Sequence, residues 1–314
     1  MLKKIFKWLG ITLLLLFVCL VIAVASRQNL HYDAPYPELH ASADSNVIAR
    51  GKEIVFGPAH CADCHSTQNA DSLLNLGQEP ALTGGVKFAL PLGEVYSKNI
   101  TPDNETGIGR YTDKEIARAL RYGLHPDGTV VYDFMPFHNI TDEDLTAVIS
   151  YMRSRPAAKN TVPPHHLNVL GNTVKAFLVK PVGPSEKIPA TITRDSSAAY
   201  GRYLAYNMAG CNGCHTMRDM AGSFIGEPFA GGGPMEAPEG LPVLTPFNLT
   251  TDSSSRLFGW SQQMFIKRFR QGKIIPHSHM PWDSYKRMSE NDLKALYNFL
   301  KTLPAVKTGT LKKK

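Results

Sequence analysis

Cysteine is scarce in this chain, with five in 314 residues, and so is net charge away from the ends. So few thiols leave little room for a disulfide framework in a protein of this length. Of the seven net positive charges, six are supplied by Lys3, Lys4, Lys7, Lys312, Lys313 and Lys314, which leaves one for everything between. A nucleic-acid partner needs a clustered basic face, and none can be drawn here. The charged ends read instead as a topogenic signal at the front and a solvated basic tail at 307–314.

Four of the five cysteines fall into two short runs, "CADCH" at 61–65 and "CNGCH" at 211–215. A shared four-cysteine zinc site would have to reconcile pairs 150 residues apart, whereas zinc ribbons separate theirs by roughly 15–20 residues. A redox-active Cys-x-x-Cys needs no histidine directly after it, let alone twice. Covalent haem needs both features. Cys61 with Cys64, and Cys211 with Cys214, would add across the vinyl groups of a porphyrin, and His65 or His215 would bind the iron from the proximal side. The expected cofactors are therefore two covalently bound haem c groups.

Cys19 lies inside the apolar run from Trp8 to Ala25, between three lysines and Arg27. The run is long enough to cross a bilayer, and residues 1–27 are read as a cytoplasmic tip and retained transmembrane anchor. The alternative is a signal peptide cleaved after Ala23-Val24-Ala25. Either way the lysines stay in the cytoplasm and the rest is exported. Cys19 itself is a small apolar residue of the span.

Beyond a polar, Pro-rich tether at 28–43, the chain says the same thing twice. "KNITPD" (98–103) answers "FNLTTD" (247–252), and "RYTDKEIARALRYG" (110–123) answers "GWSQQMFIKRFRQG" (259–272). The segment from Met135 to Pro156 answers that from Met280 to Pro304. This predicts two domains, 44–156 and 196–306, joined by a linker at 157–195. Each is expected to be helical. Asp44, Thr112, Thr141, Ser261 and Ser289 are N-cap candidates, and Gly123 and Gly272 are stops. The last helices would bury Leu145, Val148, Tyr151 and Met152 in one copy and Leu293, Leu296, Phe299 and Leu300 in the other. The linker could form a helix along the domains or on the membrane surface, with His165 and His166 facing solvent.

A haem that only moves electrons needs a second strong axial ligand. Met135 in "DFMPFH" and Met280 in "SHMPWD" recur in register, each held out of helix by the proline that follows. Met152, Met264 and Met288 are accounted for by helical apolar periodicity. The competing ligands are His138 for the first iron and His277 or His279 for the second, and these have no counterparts between copies.

With these ligands in place, each half resembles a class I cytochrome c domain. The whole is similar to the membrane-anchored cytochrome subunits of bacterial alcohol, aldehyde and gluconate dehydrogenases. The resemblance implies an all-α fold of two tandem class I cytochrome c-like domains plus an N-terminal transmembrane helix. It places Asn99 and Thr101, with Asn248 and Thr250, along the haem crevice, and it crosses the first and last helices of each domain at Gly51 with Tyr151 and Gly201 with Phe299. It implies single-electron relay on the periplasmic side of the cytoplasmic membrane, between a dehydrogenase or quinol-side donor and a terminal oxidase or other cytochrome. Those subunits commonly carry three haems, one more than the motifs here. The rival is a di-haem peroxidase, which needs an open distal side, yet both copies offer a methionine there and no acid–base constellation stands beside either. A gas sensor would need a signalling domain that the chain lacks.

Overall fold

A computed structural model describes residues 2–219 and 222–312. Helix α1 (Leu2–Ser26) buries none of its side chains; Leu14 and Leu16 are each 61% exposed. At 1.5 Å per residue its 25 residues reach about 37 Å, enough for a hydrocarbon core of about 30 Å. An apolar window left unburied along nearly the whole helix fits a membrane anchor.

The first half holds α2 (Ser45–Phe56), α3 (Cys61–His65), α4 (Ala70–Asn75), a hairpin β1 (Lys87–Leu90) and β2 (Gly93–Tyr96), α5 (Asp113–Tyr122) and α6 (Asp142–Ser154). Next come β3 (His166–Leu167) and α7 (Val169–Phe177). The second half holds α8 (Ala198–Tyr203), a π-helical turn at Leu204–Met208, α9 (Cys211–His215), α10 (Gln262–Arg270), α11 (Trp282–Tyr285) and α12 (Glu290–Leu300). The starts follow from the caps. Asp44, Thr112, Thr141, Ser261 and Ser289 each accept a backbone N–H of the first turn, and Thr112 with Glu115 and Ser289 with Asp292 close capping boxes.

Each half is organised by one helix crossing. On α2, a Cβ at Gly51 would lie 2.0 Å from the Ala147 carbonyl oxygen of α6 and 2.6 Å from Tyr151 Cβ. On α8, a Cβ at Gly201 would lie 1.9 Å from the Ala295 carbonyl oxygen of α12 and 2.8 Å from Phe299 Cβ. Only glycine lets the backbones come this close. The expected faces of α6 and α12 are buried around these contacts, with Leu145 and Leu293 fully enclosed; each such side chain contributes about 1.5–3 kcal/mol.

The structure corrects the expected organisation in several places. It is not wholly helical: β1 and β2 pair in antiparallel register, and β3 adds a third strand to β2. The hairpin turns at Pro91-Leu92, where Gly93 takes a φ of 128° that other residues avoid. The tether is not free. Its Ala41 and Ser42 amides donate to Asp113 and Ser150, and the buried Arg118 donates to the Ala34 carbonyl and stacks over Tyr36. In the linker, Ala158 and Asn160 are bonded into the first half, and a helix does form there, as α7. His165 is half-buried rather than solvent-facing, its Nδ1 accepting the Tyr96 N–H at 3.1 Å, while His166 is exposed. Residues 307–312 are likewise no free tail: the Glu227 amide donates to the Thr310 carbonyl, and the Lys312 amide donates to that of Ile225. Lys313 and Lys314 lie outside the described residues. Met152 and Met288 are buried as expected, but Met264 is 51% exposed.

The two halves share a buried polar seam. Arg50 Nε donates to Asp144 at 2.9 Å and its Nη2 to the Tyr200 hydroxyl at 3.3 Å, and that hydroxyl donates to Asp292 at 2.9 Å. The Tyr203 hydroxyl donates to Asp144 at 2.9 Å. At the margin, Asp71 accepts Lys286 at 2.7 Å and Arg287 at 2.6 Å.

Candidate haem sites

Both Cys-x-x-Cys-His runs form one helical turn entered from a left-handed residue, His60 at φ 39° and Gly210 at φ 59°. The turn puts the first and second thiols three residues apart on one face and the histidine at its end. No disulfide joins the thiols of either pair. Burial pushes Cys61 and Cys211 up to about 12, with the neighbouring thiol adding to the rise. Acidified thiols mark redox dithiols, so these sites have the opposite character.

The histidines are oriented identically. His65 Nδ1 lies 2.7 Å from the Lys98 carbonyl oxygen, and His215 Nδ1 lies 2.7 Å from that of Phe247. Nδ1 must carry the proton to donate to a carbonyl, which leaves the Nε2 lone pair free for a metal and fixes the ring plane. Burial depresses both imidazoles, and the carbonyl bond opposes it only in part. Both are therefore neutral at pH 7, the form that ligates.

What holds those carbonyls is the residue after each. Asn99 donates from Nδ2 to the Ala158 carbonyl at 2.8 Å, and its Oδ1 accepts the Thr101 amide and hydroxyl at 2.9 and 2.8 Å. Asn248 donates to the Val306 carbonyl at 2.8 Å and accepts the Thr250 amide at 2.8 Å. All four residues are buried. Their polar atoms are committed to stapling the loop to the segment beyond the last helix, so they work from behind the histidine.

Met135 and Met280 are both half-buried and packed on the core. Of their rivals, His138 has both ring nitrogens engaged, Nδ1 on the Arg121 carbonyl and Nε2 on Asp133. His277 and His279 bond through Nε2 to the Pro242 and Glu236 carbonyls.

The glycine runs Gly84-Gly85 and Gly231-Gly232-Gly233 are close-packed positions, beside the histidines, that sequence reasoning missed. Gly84 N donates to the His65 carbonyl at 2.8 Å, and Gly231 N to that of His215 at 3.0 Å. A Cβ at Gly84 would sit 2.4 Å from the Lys98 carbonyl oxygen, and one at Gly232 would sit 2.0 Å from that of Cys214. These are close cradles under each histidine. The signal was a Gly-Gly pair recurring 16–19 residues after each motif histidine. With paired thiols and a tautomer-fixed histidine, both sites fit haem c in their donor set.

The two sites also touch. A Cβ on Gly210, beside Cys211, would lie 3.0 Å from Pro136 Cγ, beside Met135. The His60 ring, beside Cys61, meets Tyr285 edge-on at 5.6 Å, and Tyr285 follows the Met280 loop and donates to the Ala209 carbonyl at 2.6 Å.

Residues 48–156 match the family described as Cytochrome c. The chain is 30% identical over 292 residues to the cytochrome c subunit of the quinone alcohol dehydrogenase of Gluconobacter oxydans (strain 621H), covering 85% of this chain and 57% of that one. It is 28% identical over 288 residues to the fructose dehydrogenase cytochrome subunit of Gluconobacter japonicus, covering 84% and 54%. It is also 28% identical over 241 residues to a diheme cytochrome c-type protein of Cereibacter sphaeroides, covering 73% and 78%. The chain thus spans little more than half the length of the dehydrogenase subunits it matches. The comparisons give the peroxidase reading no support. Residues 48–156 are thus a cytochrome c domain, and along most of its length the chain is similar to cytochrome subunits of dehydrogenases.

Proposed function

We propose that the second half is a second class I cytochrome c domain, that the chain holds two haem c groups, and that it relays single electrons from a dehydrogenase to a respiratory acceptor. The carrying observation is the repeated Nδ1–carbonyl bond, 2.7 Å at His65 and 2.7 Å at His215, which presents Nε2 in the same way at both sites. Haem c, when bound, supplies a one-electron ferrous–ferric couple. Cys61 with Cys64, and Cys211 with Cys214, would hold it by thioethers. His65 with Met135, and His215 with Met280, would be the side chains that ligate its iron. Asn99 and Asn248 fix the carbonyls that orient the histidines, with Thr101 and Thr250 closing the staple. The Gly210–Pro136 and His60–Tyr285 contacts support a short internal path between the sites.

Lys3, Lys4 and Lys7 in the first two turns of α1 favour a cytoplasmic amino terminus, with both haem-bearing halves on the periplasmic side. The names of the relatives support an alcohol-, sugar- or gluconate-type dehydrogenase as donor. The acceptor would be a terminal oxidase or another cytochrome. The matching diheme relative supports two haems rather than three. A pyridine haemochrome assay on acid-acetone-washed protein should return two c-type equivalents per chain, and Cys211→Ala with Cys214→Ala should leave one. Haem extracted into the acetone, or one equivalent in the unmodified protein, overturns the reading.

A further inference from the structure

We infer that α7 is a second membrane contact, an interfacial helix lying on the bilayer surface beside the point where α1 emerges. This rests on α1 being a membrane anchor. The placement comes from three contacts at the end of α1: Arg27 Nε donates to the Ala176 carbonyl at 2.9 Å, Gln28 Nε2 donates to the Asn172 carbonyl at 3.0 Å, and the Arg27 guanidinium lies 5.3 Å over the Phe177 ring. The helix cannot swing away from this position. A Cβ at its Gly171 would lie 2.0 Å from the Leu92 carbonyl oxygen at the hairpin turn, so α7 is seated on the first half from below.

Its outward face has the wrong chemistry for water. At 100° per residue, Val169, Leu170, Thr173, Val174, Phe177 and Leu178 fall on one side, opposite the buried Gly171 and Ala176. Val169 is 85% exposed, Leu170 61% and Leu178 72%. Thr173, the one polar member, turns its hydroxyl back onto the Val169 carbonyl at 2.9 Å. Lys180, exposed just beyond the last turn, supplies a cation for lipid phosphates. An apolar half-cylinder of this kind settles roughly 5–10 Å into the headgroup boundary. The bilayer is the occupant because the helix that carries this face is held against the end of the membrane-spanning helix, with Phe177 of the face under Arg27. The consequence is a fixed tilt: the first half rests on the membrane at two places, α1 and α7, instead of swinging on a single anchor.

The test is photolabelling of the full haem-loaded chain in liposomes, with a phospholipid carrying a diazirine high in its acyl chain, read by mass spectrometry of proteolytic peptides. Adducts are expected on α1 and on the peptide spanning Val169–Lys180, and none on α10. In the Leu170→Asp, Leu178→Asp double variant the α7 adducts should fall to the α10 level while α1 labelling and the visible spectrum persist. Labelling of α1 without α7 refutes the interfacial helix, whether water or a second protein copy covers it. Absence of label on α1 itself shows that the anchor reading has failed instead.

Discussion

Gly201→Ala tests whether the α8–α12 crossing, and with it the second half, depends on backbone contact. The added Cβ would lie 1.9 Å from the Ala295 carbonyl oxygen and 2.8 Å from Phe299 Cβ. Neither neighbour can rotate aside, because one is helix backbone and the other is the first atom of a buried side chain. A tolerable C···O approach is about 3.3 Å, so the helices must part by well over an ångström along a crossing that buries Leu293 and Leu296. A gap of that size forfeits a quarter to a half of the dispersion energy at each separated contact, and overpacking of this kind costs about 3 kcal/mol. Alanine recovers about 1 kcal/mol of helix propensity, leaving a net loss of about 2 kcal/mol. Urea unfolding of the haem-loaded protein, followed by far-ultraviolet circular dichroism, measures it. Gly51→Ala should lose a similar amount, since its Cβ would lie 2.0 Å from the Ala147 carbonyl oxygen. Unchanged or higher stability in either variant would refute the argument that glycine is required for the crossing.

Met280→Ala should open the second iron to carbon monoxide in the ferrous state and lower its potential, as read by spectroelectrochemistry; an unaltered spectrum would show that another group ligates. Arg50→Met leaves Asp144 buried beside a hydroxyl but without its cation, and should cost about 3 kcal/mol in urea unfolding; a loss below 0.5 kcal/mol in roughly the same assay would mean the seam contributes little. His165 gives a pH signature. Burial first, then Lys98 and other nearby positive groups, push it down to about 4. Its folded form is therefore neutral, and the stability it contributes is full above about 6.5 and is lost as pH falls toward 4. Protonation removes the lone pair that accepts the Tyr96 N–H. With the ring half-open to water the effect is about 1 kcal/mol, so His165→Gln should flatten the decline in urea midpoint between pH 7 and pH 4.5 by that much; an identical slope in both proteins would rule the histidine out.

The local features of the fold were legible because they are written in neighbouring residues. Whereas the two glycine crossings join distant residues and followed only from the family resemblance, the five caps are each set by one residue type at one offset, and the duplicated spacing made them readable in both halves. Both motif histidines could be named for the same reason. What holds them could not, because Asn99 and Asn248 reach chain segments 59 and 58 residues away. The hairpin escaped notice since Pro91 and Gly93 look like breakers until β3 arrives from beyond α6 to pair with β2. The π-helical turn at Leu204–Met208 was invisible for a different reason. The distance from Gly201 to Cys211 equals that from Gly51 to Cys61, so the spacing carries no mark of the different winding.

The seam between the halves has a consequence for how a duplicated chain stays in one piece. Arg50 and Tyr200 occupy matching places in the two copies, as do Asp144 and Asp292. Two copies of the first half brought together along this face would set arginine against arginine. Two copies of the second would offer a pair of carboxylates no cation at all. Only the mixed pairing lets one guanidinium serve Asp144 directly and reach Asp292 through the Tyr200 hydroxyl. Divergence at a single matched position has thus made each half a poor mate for its own kind, so that the seam pairs unlike halves.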